Sequence, residues 1–261
     1  MKRAGIALAI VVVLALTACG TTSAGPVNAV GSAATAMPAT DLAGWRRVLS
    51  DDFTGTELSN RWLAYDGQPS GDPAGWFDPA HVRVSDGVLT IRGAYQKARR
   101  KWVTGGVSTR NSLKQTYGKY EVRFRADRGK GISYALLLWP VDDSWPPEID
   151  FAEDNGDRRD RLHATLHAIG GSQIERSVTG DFTDWHVVGV EWTPGRLAYT
   201  VDGRVWATLL DERVPDQPMA LALQTQAWYC GHTWQRCPDS STPAQVNLQV
   251  DWVVAYARRS A

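Results

Sequence analysis

The sequence is short of several things, and each shortage removes a class of explanation. It has no net charge: 28 basic residues stand against 28 acidic ones, with no dense basic block. Nucleic acid and anionic membrane surfaces both demand an excess of positive charge, so neither is an expected partner. With three cysteines in 261 residues, at most one intrachain disulfide is available. The one long apolar run, Ile6 to Leu16, falls well below the roughly 20 residues that span a bilayer. No segment carries apolar residues at a convincing helical period, and no internal repeat is found. What the chain has in plenty is tryptophan, 12 in all, within 43% apolar residues. That is ample for the core of one large all-β domain or two small ones. Indoles fill β-sandwich cores, and they also offer flat faces to the C–H faces of sugar rings; about half are assigned to each use.

The N-terminus reads as an address. Lys2 and Arg3 precede the apolar run, and Leu16-Thr17-Ala18-Cys19 follows it, the layout of an export signal. Leu-Thr-Ala-Cys resembles a bacterial lipobox, which implies cleavage after residue 18 and a diacylglyceryl group on Cys19. The alternative is an ordinary signal peptide with an incidental cysteine. Gly20 to Thr40 is uncharged and built from small residues, a flexible tether with a reach of roughly 25 Å. The expected organisation is a signal peptide over 1–18, a lipidated cysteine and linker over 19–40, and one catalytic domain over 41–261. The expected location is extracytoplasmic, with the membrane touched through the lipid anchor only, and the expected state is a monomer. Cys230 and Cys237 then remain, six residues between them, and a small disulfide loop is expected in an oxidising compartment. Zinc competes for close cysteines, but His232 alone between them falls short of four ligands.

Beyond Asp41 the apolar period is two. Val122, Phe124 and Ala126 alternate with Glu121, Arg123 and Arg125, and Val88–Arg92, Trp185–Trp192, Leu197–Val201, Met219–Trp228 and Val246–Tyr256 read as further strands. Asp202-Gly203 is a type I′ hairpin signal, and the continuously apolar Tyr134–Trp139 predicts a strand covered on both faces. The expected fold is all-β: a two-sheet antiparallel β-sandwich of the jelly-roll, concanavalin A-like kind, with a substrate cleft on its concave face.

The segment Trp145-Pro146-Pro147-Glu148-Ile149-Asp150-Phe151-Ala152-Glu153 carries the chemistry. On a strand Glu148 and Asp150 share a face, and a one-residue bulge at Phe151-Ala152 returns Glu153 to it. Three carboxylates together repel one another when desolvated. A retaining glycosidase has a use for that, since it needs a nucleophile and a proton donor ~5–5.5 Å apart. Crowding then raises the pKa of Glu153 so that it can serve as the acid. Two plainer readings compete: acidic residues facing water, and calcium binding, although the spacing fits no loop of the D-x-(D/N)-x-(D/N)-G type.

Glu148-Ile149-Asp150-Phe151-Ala152-Glu153 resembles the E-(I/L)-D-x-x-E signature of glycoside hydrolase family 16, the laminarinase and lichenase family. Further similarities follow in family order: Trp45 to Phe53, Asp86-Gly87-Val88-Leu89, Tyr117 to Arg123, Glu191-Trp192-Thr193-Pro194, Val201-Asp202-Gly203 and Val250-Asp251-Trp252-Val253. The resemblance implies Glu148 as nucleophile, Asp150 as assisting carboxylate and Glu153 as acid/base, with no cofactor required for catalysis. It also implies a structural calcium at Asp251, near the backbone of Gly87. Ser133-Tyr134-Ala135-Leu136-Leu137 and Gln224 to Cys230 depart from the family's aromatic and glycine-rich segments there, so the resemblance carries fold and chemistry but not the sugar.

Trp145, His167, Gln224, Gln226 and Trp228 are the expected substrate-binding residues. His163, Thr165 and His167 share one face of a strand, with His167 either bonding a carboxylate or a sugar, or serving as a structural histidine. Gln224, Gln226 and Trp228 share another, either for hydroxyl recognition and stacking or as a core indole with satisfied amides. Trp76, Trp102 and Trp234 fall in loops and are available to extend the cleft. The expected function is a retaining endo-β-glycanase on a polysaccharide, with a β-1,3-glucan as first choice. A transglycosylase with the same carboxylates and a non-catalytic sugar-binding sandwich are the alternatives.

Overall fold

The computed structural model describes residues 36–69 and 72–259. The expected signal peptide, the lipidation site Cys19 and most of the linker lie outside the described residues. The chain runs through β1 (Trp45–Asp51), β2 (Leu63–Ala64), β3 (Val82–Ser85), β4 (Val88–Gln96), β5 (Lys101–Val103) and β6 (Gly106–Ser108). It continues through β7 (Gly118–Ala126), β8 (Ile132–Pro140), β9 (Glu148–Glu153), β10 (Arg161–His167) and β11 (Gln173–Thr179). Then come β12 (His186–Thr193), β13 (Arg196–Val201), β14 (Arg204–Leu210), β15 (Met219–Ala227) and β16 (Gln245–Arg258). Among the described residues the only helical element is a 3-10 turn, Pro79–His81.

These strands build the expected antiparallel sandwich. One sheet has nine strands, in the order β14-β13-β12-β7-β16-β4-β3 with β1 on β16 and β5 on β4; the other has seven, in the order β11-β10-β9-β8-β15-β6-β2. The hairpin signal is met, since Asp202 and Gly203 close β13 to β14 with φ of 50° and 75°, the left-handed pair that a type I′ turn requires.

The core lies between the sheets, where the period-two residues meet. Tyr120, Val122 and Phe124 of β7 and Tyr134, Leu136 and Leu138 of β8 belong to it, all at most 1% exposed. The Phe124 and Tyr134 rings, 5.1 Å apart, join the two sheets. Full burial of one such side chain stabilises the fold by about 2–3 kcal/mol. The other face of β8 departs from expectation. Ala135, Leu137 and Trp139 are not covered by a further layer but line an open cleft, so the uninterrupted apolar run makes a core face and a cleft floor.

The back of the nine-stranded sheet is covered differently. A bulge between Val250 and Trp252 of β16 turns Trp252, Val254 and Tyr256 outward, where Met37, Leu42 and Trp45 pack over them. Asp41 ties this segment down, accepting from the Arg47 backbone N–H at 2.8 Å and pairing with Arg259 at 2.5 Å.

Candidate active site

A cleft of about 1070 Å³ crosses the outer face of the seven-stranded sheet. Glu148, Asp150 and Glu153 stand near its middle strands. The register explains why all three face it. Against β8, Asp150 pairs with Leu137 and Ala152 with Leu136; against β10, Asp150 pairs with Thr165 and Glu153 with His163. One extra residue therefore sits on β9 between Asp150 and Glu153, as the bulge predicts. Phe151 and Ala152 are both in the core with Ile149, which leaves the three carboxyls on the cleft side.

Each carboxyl has different company. Glu148 Oε2 accepts from the Trp145 indole N–H at 2.8 Å and lies 3.9 Å from His167 Nε2. Asp150 is 2% exposed. Its Oδ2 lies 3.1 Å from His167 Nε2 but out of line for a hydrogen bond, and so is buried without one. Glu153 Oε1 accepts from the Thr165 hydroxyl at 2.6 Å. His167 is itself oriented: Gln173 donates to its Nδ1 at 3.0 Å, which leaves the ring proton on Nε2, facing the carboxyls.

Burial raises all three pKa values, because a desolvated carboxylate loses its hydration. Glu148 is pushed up to about 8, by burial first and the Asp150 charge second, against the lowering influence of His167 and of the Trp145 donor. Asp150 is raised by burial. Glu153 goes well above the carboxyl range, through burial and then the Asp150 and Glu148 charges, with the Thr165 hydroxyl opposing. The three cannot all ionise together. Of the two glutamates, Glu148 has the indole donor and His167 beside it and loses its proton first; Glu153 holds its proton longest. One ionised and one protonated glutamate on the same strand can perform nucleophilic attack and proton donation together.

The expected binding residues divide. Trp145, exposed at 55%, His167, Gln224, Gln226 and Trp228 all line the cleft. Gln226, however, is buried at 6% exposure and donates to Asp72 at 3.2 Å, so it acts behind the surface. Trp234 lines the cleft, its ring edge-on to His163 at 5.2 Å. Trp76 and Trp102 are not among its lining residues. Trp102 is in β5 rather than a loop and packs against Ile132, Ala227 and Val246, while Trp76 lies under Arg99 at 4.9 Å. Thr165, Gln173 and Asp72 are roles the sequence reading did not assign. Thr165 was on the correct face; the register that sets it opposite Asp150 and within reach of Glu153 belongs to two strands joined by a turn.

The cysteines form the expected bond, Cys230–Cys237, with Cα atoms 4.9 Å apart. The loop they close seats on neighbouring turns: Arg236 N–H donates to Asn155 at 2.9 Å, and a Cβ on Gly131 would come within 2.2 Å of Pro238 N. It also holds the His232 ring 4.7 Å from Trp228.

Two places bear on metal binding. Asp251 Oδ2 accepts from Arg123 Nη1 at 2.6 Å. A calcium ion takes six to eight oxygens, and with its carboxylate committed to a guanidinium Asp251 does not fit as a ligand beside the backbone of Gly87. Glu148, Asp150 and His167 each offer a ligand atom, all within 4.8 Å of one another, but that geometry serves the carboxyl chemistry equally well.

Comparison with known proteins bears on the domain as a whole. The sequence profile of glycosyl hydrolases family 16 matches residues 76–254. The chain is 32% identical over 200 residues to the endo-1,3-1,4-beta-glycanase ExsH of Rhizobium meliloti, a match covering 72% of this chain but 42% of that longer protein. It is 28% identical over 249 residues to the beta-glucanase of Rhodothermus marinus, covering 81% of this chain and 85% of the relative. The X-ray structure of the laminarinase from Rhodothermus marinus superposes with a TM-score of 0.72 at 27% identity, over 83% of this chain and 98% of that one. The chain belongs to glycosyl hydrolases family 16.

Proposed function

We propose that this protein is a retaining endo-β-glycanase that hydrolyses a β-glucan, with β-1,3 linkages as the first choice, by double displacement. The observation that carries the reading is the three cleft-facing carboxyls on the bulged strand β9, one favoured as an anion and one as an acid. A sugar-binding sandwich has no use for so much buried acidity.

In the first step a Glu148 oxygen attacks the anomeric carbon while Glu153 gives its proton to the departing glycosidic oxygen. The Trp145 donor holds Oε2 of Glu148 and leaves Oε1 for attack. Once Glu148 is esterified its charge is gone and the pKa of Glu153 falls, so Glu153, now an anion, can accept a proton from water. That water attacks the same carbon, and Glu148 returns as carboxylate. Asp150, beside both glutamates with His167 within ion-pair reach, holds charge or proton as the two exchange roles. No metal takes part, because the two glutamates supply both nucleophile and acid.

The named relatives support the substrate: ExsH is described as an endo-1,3-1,4-beta-glycanase and the Rhodothermus protein as a beta-glucanase. The sequence of the first 19 residues supports export and anchoring through a diacylglyceryl group on Cys19. Two acyl chains hold a protein to a bilayer where one does not.

The test is to incubate the purified protein with β-1,3-, mixed β-1,3-1,4- and β-1,4-glucans, size the products and follow the anomer by NMR. Internal cleavage of a β-1,3-containing glucan with initial release of the β-anomer is expected, unchanged by EDTA. Release of the α-anomer would overturn the mechanism, and loss of activity in EDTA with the fold intact would bring a metal into the chemistry. Products longer than the substrate would indicate glycosyl transfer. Cys19→Ala should leave the membrane fraction or remain unprocessed; a variant that fractionates like wild type removes the anchor.

A further inference from the structure

The β15 side of the cleft is served by a hydrogen-bond relay that starts outside it. Asp72 is 1% exposed and reaches this strand from the segment after β2. Its Oδ1 accepts from the Ala74 backbone N–H at 3.0 Å and its Oδ2 from Gln226 Nε2 at 3.2 Å. Gln226 Oε1 in turn accepts from Gln224 Nε2 at 3.2 Å. The approach is close: a Cβ on Gly75 would fall 2.7 Å from Asp72 Oδ2 and 3.3 Å from the Ala227 carbonyl, so this position has room only for glycine.

The relay has a direction. An amide alone can turn over and exchange its donor and acceptor ends, but a carboxylate only accepts. Asp72 therefore compels Gln226 to present N–H to it and carbonyl to Gln224, and Gln224 must give its own N–H back to that carbonyl. The group left at the cleft surface is Gln224 Oε1, which has no protein partner among the described residues. Gln224 pairs with Ala135, and Ala135 with Glu153. That is two strand spacings, roughly 10 Å, from the acid. The distance is too great to join the reaction and suits holding a neighbouring sugar.

Resting on the glycanase reading above, we infer that Asp72 is a positioning residue for specificity: through Gln226 it fixes Gln224 as a hydrogen-bond acceptor for a hydroxyl of a sugar next to the one being cleaved. Asparagine cannot replace it. Asp72 accepts at both oxygens, and Asn offers one acceptor. If Asn satisfies Ala74, its N–H₂ faces Gln226, both glutamines turn over, and Gln224 shows the cleft a donor instead of an acceptor.

The test is a double-mutant cycle on the full chain with β-1,3-linked gluco-oligosaccharides of three to six units. Asp72→Asn and Gln224→Ala should each raise KM for the longest substrate by about five- to tenfold, with kcat within twofold of wild type. The double variant should be no worse than Gln224→Ala alone, since Asp72 acts through Gln224. Gln226→Met cuts the relay while leaving the Ala74 bond, and should match Asp72→Asn if the latter folds poorly. An unchanged KM in Asp72→Asn and Gln226→Met, or effects that multiply in the double variant, would overturn the inference. If wild type cleaves none of these substrates, the substrate proposal fails rather than the relay. The relay is then judged by side-chain amide NMR: resonances of Gln224 and Gln226 unmoved by Asp72→Asn would remove it.

Discussion

The two outer faces of the sandwich are built from the same alternation but treat charge in opposite ways. On the back, ionised groups are matched, Arg123 with Asp251 and Lys119 with Glu121 at 3.1 Å, and at the rim beside them His186 pairs with Asp202 at 2.8 Å. There the carboxyl of Asp202 is lowered by its hydrogen bonds to His186 and Val187, despite its burial. On the front, Glu148, Asp150 and Glu153 share one strand with no arginine or lysine against them among the described residues, and all three are raised by burial. The back arranges its charges to be stable as ions. The front keeps its carboxyls close to the point of gaining or losing a proton, which costs stability and supplies chemistry.

The largest effect that separates the faces is at Glu148. Glu148→Gln should lower kcat by orders of magnitude, because covalent catalysis has no substitute nucleophile; activity within a few-fold of wild type would mean that Glu148 is not the nucleophile. The same change should stabilise the fold near neutral pH. A carboxyl whose folded pKa lies above its unfolded value binds more protons in the folded state. Stability therefore falls as pH rises from ~4.3, the unfolded value, through about 8, the folded one. Removing the titration should raise Tm by about 2–6 °C at pH 8 and little at pH 4. An unchanged difference across that range would mean Glu148 is not strained in the folded state.

Next in size is the pH profile of Trp145. Its N–H favours the ionised Glu148, so Trp145→Phe, which keeps the ring, should move the acid limb of kcat/KM to higher pH and leave the alkaline limb, governed by Glu153, in place. A loss uniform across pH would assign Trp145 to stacking alone.

The sequence made the front legible wherever information was local. The carboxyls, the bulge and the hairpin at Asp202-Gly203 all follow from neighbours along the chain. What it hid is set by contacts between distant segments. Thr165 meets Glu153 through the β9–β10 register, and Asp72 meets Gln226 across 154 positions. Asp251 shows the same limit on the back, since its partner Arg123 lies 128 residues away. Trp76 and Trp102 were assigned by loop composition, which carries no information on the side to which a loop folds.

The disulfide loop tests the edge of the front. It carries His232 and Trp234 and stands against Trp228, yet its own seat is on two turns remote from Glu148. Closing so short a loop removes about 2–3 kcal/mol of unfolded-state entropy in the chain-entropy model. Cys230→Ser with Cys237→Ser should raise KM for long substrates by about three- to tenfold and leave kcat near wild type. If the domain unfolds and KM in the folded fraction is unchanged, the bond serves the fold and not the cleft.

The smallest effect should come from the back. Asp251→Asn removes the carboxylate charge facing Arg123, whose side chain is 13% exposed and whose guanidinium also lies 4.8 Å above the Trp185 ring. Burial of Arg123 makes the pair worth more than a surface ion pair, but Trp185 still holds the guanidinium once the charge is gone, so a loss of about 1 kcal/mol is expected. That corresponds to a Tm shift of about 2–4 °C for a domain of this size. The kcat and KM should stay at wild-type values, because the core lies between this pair and the cleft. A calorimetric scan with and without added calcium separates the two roles proposed for Asp251. If calcium raises the Tm of wild type but not of Asp251→Asn, the side chain is a ligand after all and Arg123 must release it. If neither responds, the ion pair alone accounts for the position.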